Sequence, residues 1–143
     1  MNYICSLITV ENIEKSKFFY ETILGQKIKY DFGENIQFES GFAIHLKSHF
    51  KSIPGLESFQ IQPGSKNIEL YFEDEDIRSI ETELEKRRVP FIHKIQEQPW
   101  RQQVMRVMDP DGYIVEIGES MPRLITRLHN EGMDISAINK VTG

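Results

Sequence analysis

From Ile4 to Val10 the chain runs as a short apolar stretch, and Asn12 then precedes apolar positions at Ile13, Phe19, Tyr20, Ile23 and Leu24. That pattern predicts a strand, an N-cap and an amphipathic helix. Gly25 falls where a helix end needs a residue at positive φ. Beyond it Ile28, Tyr30 and Phe32 alternate with Lys29 and Asp31, as a half-buried strand requires. Gly33-Glu34-Asn35 reads as a turn. Ile36 and Phe38 alternate again, Ser40-Gly41 turns once more, and Phe42, Ile44 and Leu46 form a fourth strand. The order is β-α-β-β-β.

His49 to Lys66 carries Pro54-Gly55 and Pro63-Gly64 without a clear period and reads as a long surface connection. The pattern then restarts. Ile68, Leu70 and Phe72 alternate, and the acidic cluster from Glu73 to Asp76 opens a helix with favourable dipole charge. Ile77, Ile80 and Leu84 recur at helical spacing, and Pro90 marks the end. Phe91 to Ile95 and Val104 to Met108 read as strands, Asp109-Pro110-Asp111-Gly112 as a turn, and Tyr113 to Ile117 as the last strand. The second half is again β-α-β-β-β. One four-stranded sheet with one helix leaves a sheet face uncovered, so a doubled unit implies two modules that bury each other's apolar faces.

After Glu119 the register changes. Pro122 starts a helical segment with Leu124, Ile125 and Leu128, Gly132 stops it, and Ile135, Ile138 and Val141 predict a second short helix. The pair resembles the first two helices of a helix-turn-helix, but the chain ends where a recognition helix would begin. These turns are expected to dock on the domain or on a partner subunit. The reading is an α+β domain over residues 1–119, with modules at about 1–48 and 66–119 and a helical tail over 120–143.

At 143 residues, such a domain can remove roughly two-thirds of its unfolded surface from water. With 22 acidic against 17 basic side chains and a formal charge of -5, a broad phosphate-binding surface is disfavoured, so no nucleic acid partner is expected. No stretch has the length to span a bilayer, and the start lacks a signal-peptide pattern, so the expected setting is cytoplasmic, with no membrane partner. The single cysteine, Cys5, cannot form an internal disulfide.

Leu7-Ile8-Thr9-Val10 followed by Asn12-Ile13, Ser16, Phe19-Tyr20 and Leu24-Gly25 resembles the opening of a glyoxalase/bleomycin-resistance/dioxygenase protein of the vicinal oxygen chelate (VOC) superfamily. Pro99-Trp100, Arg106 and Asp109-Pro110-Asp111-Gly112-Tyr113 running into Glu116 is similar to the closing strands of that superfamily. The resemblance spans Tyr3 to Glu119. It implies paired βαβββ modules forming a cup of curved mixed sheets, and frequently a divalent metal held by four strand residues. Those places fall on Cys5, His45, Asn67 and Glu116. Strand parity lets all four share one side. Cys5 and Asn67 depart from the His or carboxylate that the family usually supplies.

A metal held by Cys5, His45 and Glu116 would suit zinc and leave an open position, with nickel or iron as further options. The competing reading is metal-free. In it Cys5 is a small packed side chain, His45 a polar residue facing a wet cavity, and Glu116 an inward acid. Glu116 and His45 are the candidate proton-transfer residues. Trp100, Arg101, Arg106 and Asn67 are candidate substrate contacts, the tryptophan by stacking and the arginines by pairing an anionic group. His93, on a predicted outer strand, and His129, on the tail, read as surface residues. The leading expectation is a homodimeric protein binding a small polar or electrophilic organic molecule without a standard metal site. A metal-dependent glyoxalase-like lyase or isomerase, with dioxygenase chemistry less favoured, and a regulatory module using the tail are the alternatives.

Overall fold

The structure is a computed structural model and describes residues 1–142. Two compact units form. The first contains Met1–Ile68 together with Asp109–Tyr113, and the second contains Glu69–Met108 and the described residues from Ile114 onward.

In the first unit, β1 (Ser6–Val10), α1 (Ile13–Lys17), β2 (Ile28–Asp31), β3 (Asn35–Phe38), β4 (Phe42–Leu46) and the short α2 (Lys47–Lys51) follow in order. The sheet runs β1-β4-β3-β2, with β1 parallel to β4 and the other pairs antiparallel. Asn12 starts α1 by accepting the Lys15 N–H at 3.0 Å. The sequence pattern predicts one continuous helix to Leu24. Instead α1 gives way to a π-helical segment, Phe18–Ile23, in which the Leu24 N–H reaches the Phe19 carbonyl at 3.0 Å. The wider turn lets the consecutive aromatics Phe19 and Tyr20 both enter the core, where each is buried. Gly25, at φ +64°, then reverses the chain as expected. The core is largely aromatic: Phe38 stacks on Phe42 at 4.6 Å and Tyr20 meets Phe42 edge-on at 5.0 Å.

The Asp109–Tyr113 turn packs as part of this unit. The Tyr20 hydroxyl donates to Asp109 Oδ2 at 2.7 Å, and the Tyr113 and Asp111 amides donate to Oδ1 at 2.8 and 3.0 Å. Burial pushes the Asp109 carboxyl up from the usual carboxylate range, and these three donors pull against that shift. Asp111 accepts the Glu11 N–H at 2.9 Å and the Ser16 hydroxyl at 3.2 Å. A side chain at Gly64 would collide with the Asp111 carbonyl oxygen, which explains a glycine there.

In the second unit, β5 (Glu69–Asp74), α3 (Ile77–Lys86), β6 (Phe91–Glu97), β7 (Gln103–Met108) and β8 (Ile114–Glu119) repeat the plan, with sheet order β5-β8-β7-β6 and β5 parallel to β8. Asp76 caps α3 by accepting the Ser79 N–H at 3.1 Å. Leu70, Ile77, Leu84, Met105, Val107, Val115 and Ile117 are buried. The expected pair of tail helices is present as α4 (Met121–Asn130), capped by Ser120, and α5 (Ile135–Thr142). Leu124, Leu128 and Ile138 form their shared core. Arg127 ties α4 to the end of β8, donating from Nη2 to Glu119 Oε1 at 2.6 Å. Among the described residues no helix is long and apolar enough to cross a membrane.

Candidate functional site

A central strand of each sheet buries an ionisable residue that sits in a cross-strand row of polar side chains; β8 buries a second, Glu119, at its end. In the first unit this residue is His45 on β4, 6% exposed. Its register partners are Thr9 on β1 and Asn35 on β3. The Asn35 amide donates to His45 Nδ1 at 3.0 Å, which places the ring proton on Nε2, where it is donated to His49 Nδ1 at 2.7 Å. The two rings stack at 5.0 Å, and Phe50 meets His45 edge-on. Burial lowers the His45 pKa, the nearby His49 lowers it further, and Glu34 opposes both. His45 is therefore a neutral link in a relay from Asn35 to the exposed His49.

In the second unit the residue is Glu116 on β8, also 6% exposed. Its register partners are Tyr71 on β5 and Arg106 on β7, and Arg106 in turn pairs with His93 on β6. Arg106 forms an ion pair with Glu116 through Nη2, donates from Nε to Glu69 at 2.9 Å and from Nη1 to His93 Nε2 at 3.1 Å. His93 donates from Nδ1 to the Lys94 carbonyl at 2.9 Å, so Nε2 is the free acceptor that the guanidinium needs. The Tyr71 hydroxyl donates to Glu73 at 2.8 Å and accepts from Gln102 Nε2 at 2.7 Å. Burial, set against the Gln102 bond, leaves the phenol pKa raised. Gly118 makes room for this bond, because a Cβ there would press on both the Gln102 amide and the Tyr71 oxygen.

The other sequence candidates are placed differently. Trp100 is partly exposed and donates from its indole N–H to Gln102 Oε1 at 3.1 Å, which links it to Tyr71 through one amide. Arg101 is bound to Glu97 at 2.7 Å and Glu131 at 2.9 Å, on the side of the tail helices. Cys5 precedes β1 and is four residues from Thr9, the partner of His45. Asn67 precedes β5, is exposed, and is four residues from Tyr71, the partner of Glu116. At a strand rise of about 3.3 Å per residue each lies roughly 13 Å along its strand direction from that row. Of the candidates, Arg106 and Glu116 are brought into contact.

Sequence reasoning passed over Asn35, His49, Glu69 and Tyr71, and it read His93 as a surface residue where the structure half-buries it against Arg106. His49 had a detectable signal, its spacing of four from His45. His93 had none, because two register shifts interrupt the pairing of β6 with β7.

The donors that the resemblance implied for a divalent metal do not fit one as placed. Both ring nitrogens of His45 are engaged, and Glu116 is held by a guanidinium. Among the described residues no group of three or more His, Cys, Asp and Glu side chains is gathered to hold an ion.

Comparison with known proteins follows the same architecture. A glyoxalase-like domain model matches residues 3–122. A crystal structure of a protein of unknown function from Agrobacterium tumefaciens str. C58 is 38% identical, with a TM-score of 0.77 over 85% of this chain and 95% of that one. Two more distant structures share the fold. A lactoylglutathione lyase from Agrobacterium tumefaciens is 16% identical, with a TM-score of 0.65 over 83% of this chain and 93% of that one. A glyoxalase/bleomycin resistance protein/dioxygenase from Nocardioides is 19% identical, with a TM-score of 0.63 over 83% of each chain. No curated protein matches the sequence. With the doubled β-α-β-β-β plan in the coordinates and the domain model matched over most of the chain, this protein belongs to the glyoxalase-like domain family of the VOC superfamily.

Proposed function

We propose that the chain binds a small polar or electrophilic organic molecule on the polar face of the β5-β8-β7-β6 sheet, without help from a metal ion. The observation that carries this reading is the row Tyr71–Glu116–Arg106–His93, assembled from four strands around a buried carboxylate. A buried ion pair stabilises a fold less well than apolar side chains of the same volume. Its presence on a central strand therefore favours a role in recognition over one in stability. Within the row, Arg106 is held by its bond to Glu69 and its ion pair with Glu116, and the Tyr71 phenol oxygen, whose proton goes to Glu73, and the outer carboxylate of Glu69 remain partly open to a ligand's hydrogen-bond donors.

A protein-observed NMR titration tests this, using small carbonyl compounds, amides and glutathione thioesters with S-lactoylglutathione among them. At least one probe should give saturable shifts at the amides of Tyr71, Arg106, Glu116 and Gly118, and Tyr71→Phe should weaken its binding about tenfold. Shifts confined to other surfaces, or affinity unchanged in Tyr71→Phe, would overturn the proposal.

A further inference from the structure

The second unit holds a separate cavity of ≈ 340 Å³ that shares no side chain with the Glu116 row. Its size lies in the range of small-molecule sites. It is lined by Gln103 and the Glu119–Arg127 pair, by the start of α3 and by α4.

The charges in it divide into two sets. Arg127 is fully engaged: it donates to Glu119, to Glu97 at 3.2 Å, to Glu131 at 2.8 Å and to the Arg101 carbonyl. Arg78 and Arg123 also line the cavity, and among the described residues no ion pair or side-chain hydrogen bond engages either guanidinium. Both occupy the first turn of their helices, Arg78 in α3 and Arg123 in α4. A cation there opposes the helix dipole; Glu75 and the N-cap Asp76 offset it at α3, while the first turn of α4 contains no acidic residue. Two exposed guanidiniums, neither paired with a described side chain, line one cavity.

We propose that this cavity binds a small zwitterionic carboxylate of the amino-acid class. Its carboxylate pairs with Arg78 and Arg123, for which a planar bidentate acceptor is the matching partner. Its ammonium faces Glu75 and Asp76, which line the same cavity. The seven ionised side chains of the lining are four carboxylates and three guanidiniums, a balance of one negative charge. That balance disfavours a polyanion such as phosphate and suits a ligand carrying both signs.

The test is an NMR titration of the whole chain with the proteinogenic L-amino acids one at a time, with the corresponding amines, the corresponding α-hydroxy acids and inorganic phosphate as controls. At least one amino acid should shift the amides of Gln103, Glu119, Arg123 and Asn130 saturably. It should bind about tenfold more tightly than its amine or hydroxy-acid counterpart and than phosphate. The double variant Arg78→Gln/Arg123→Gln should lose that binding while its melting temperature stays level, since both side chains are exposed and unpaired among the described residues. Absence of any saturable amino acid, unchanged affinity in the double variant, or equal binding of phosphate would each overturn the proposal.

Discussion

The two sheets place different chemistry at the same position of the same plan. On the last strand of each module a buried ionisable side chain faces a first-strand residue on one side and a third-strand residue on the other: Thr9–His45–Asn35 in one case, Tyr71–Glu116–Arg106 in the other. The first row carries no charge. His45 is neutral, one nitrogen accepts from an amide, and the other passes its proton toward an exposed imidazole. The second row is built from full charges, with one guanidinium serving two carboxylates and an imidazole. A duplicated fold thus fixes where a polar group can be buried, and the neighbours across the strands decide whether it is buried neutral or ionised.

If this contrast is correct, damage to the charged row should exceed damage to the neutral one. Arg106→Met should have the largest effect, about 3–5 kcal/mol in urea unfolding, because Glu116 would be left buried without its cation. Restoring neutrality with Arg106→Met/Glu116→Leu should recover most of that loss. If the double variant were no more stable than the single, the ion pair would not be the source of the cost.

Glu116→Gln alone should cost less, about 1.5 kcal/mol by the same measurement, since Arg106 keeps Glu69 and the amide oxygen still accepts. In the neutral row, Asn35→Ala removes only the donor to His45 Nδ1 and should cost about 1 kcal/mol. A loss as large as that of Arg106→Met would erase the distinction between the rows.

The smallest expected effect is a pH dependence. The folded pKa of His45 lies below the ordinary 6.5, so as pH falls the unfolded chain takes up the proton first. This contribution to stability is intact above 6.5 and is lost as pH falls from there to the folded pKa. Urea midpoints measured from about pH 7.5 down to about 5.5 should therefore decline, and His45→Gln should flatten the decline. An identical slope in the variant would show that His45 titrates as in the unfolded chain.

Much of the architecture was written locally. Alternation of apolar positions marked the strands, Asn12 and the acidic approach to Ile77 marked helix starts, and Gly25 marked a helix end, because each of these effects acts within a few residues of the chain. The repeat followed from the same signals read twice, and parity put His45 and Glu116 on the side where the polar rows form. The π-helical turn lay outside this code, since it answers the need to bury Phe19 and Tyr20 together.

By itself, then, the sequence determined the eight strands, the main helices, their duplication and the two central polar residues, but not α2 or the π-helical turn. The tertiary structure decided the partners: that Arg106 holds Glu116, that Arg101 turns to the tail helices, that His93 joins the charged row, and that Thr9 and Tyr71 stand where Cys5 and Asn67 were expected. The physical reason is register. Period-two alternation fixes the face of a residue but not its opposite number, and sliding a strand by two residues keeps every side chain on its face while exchanging its cross-strand partners.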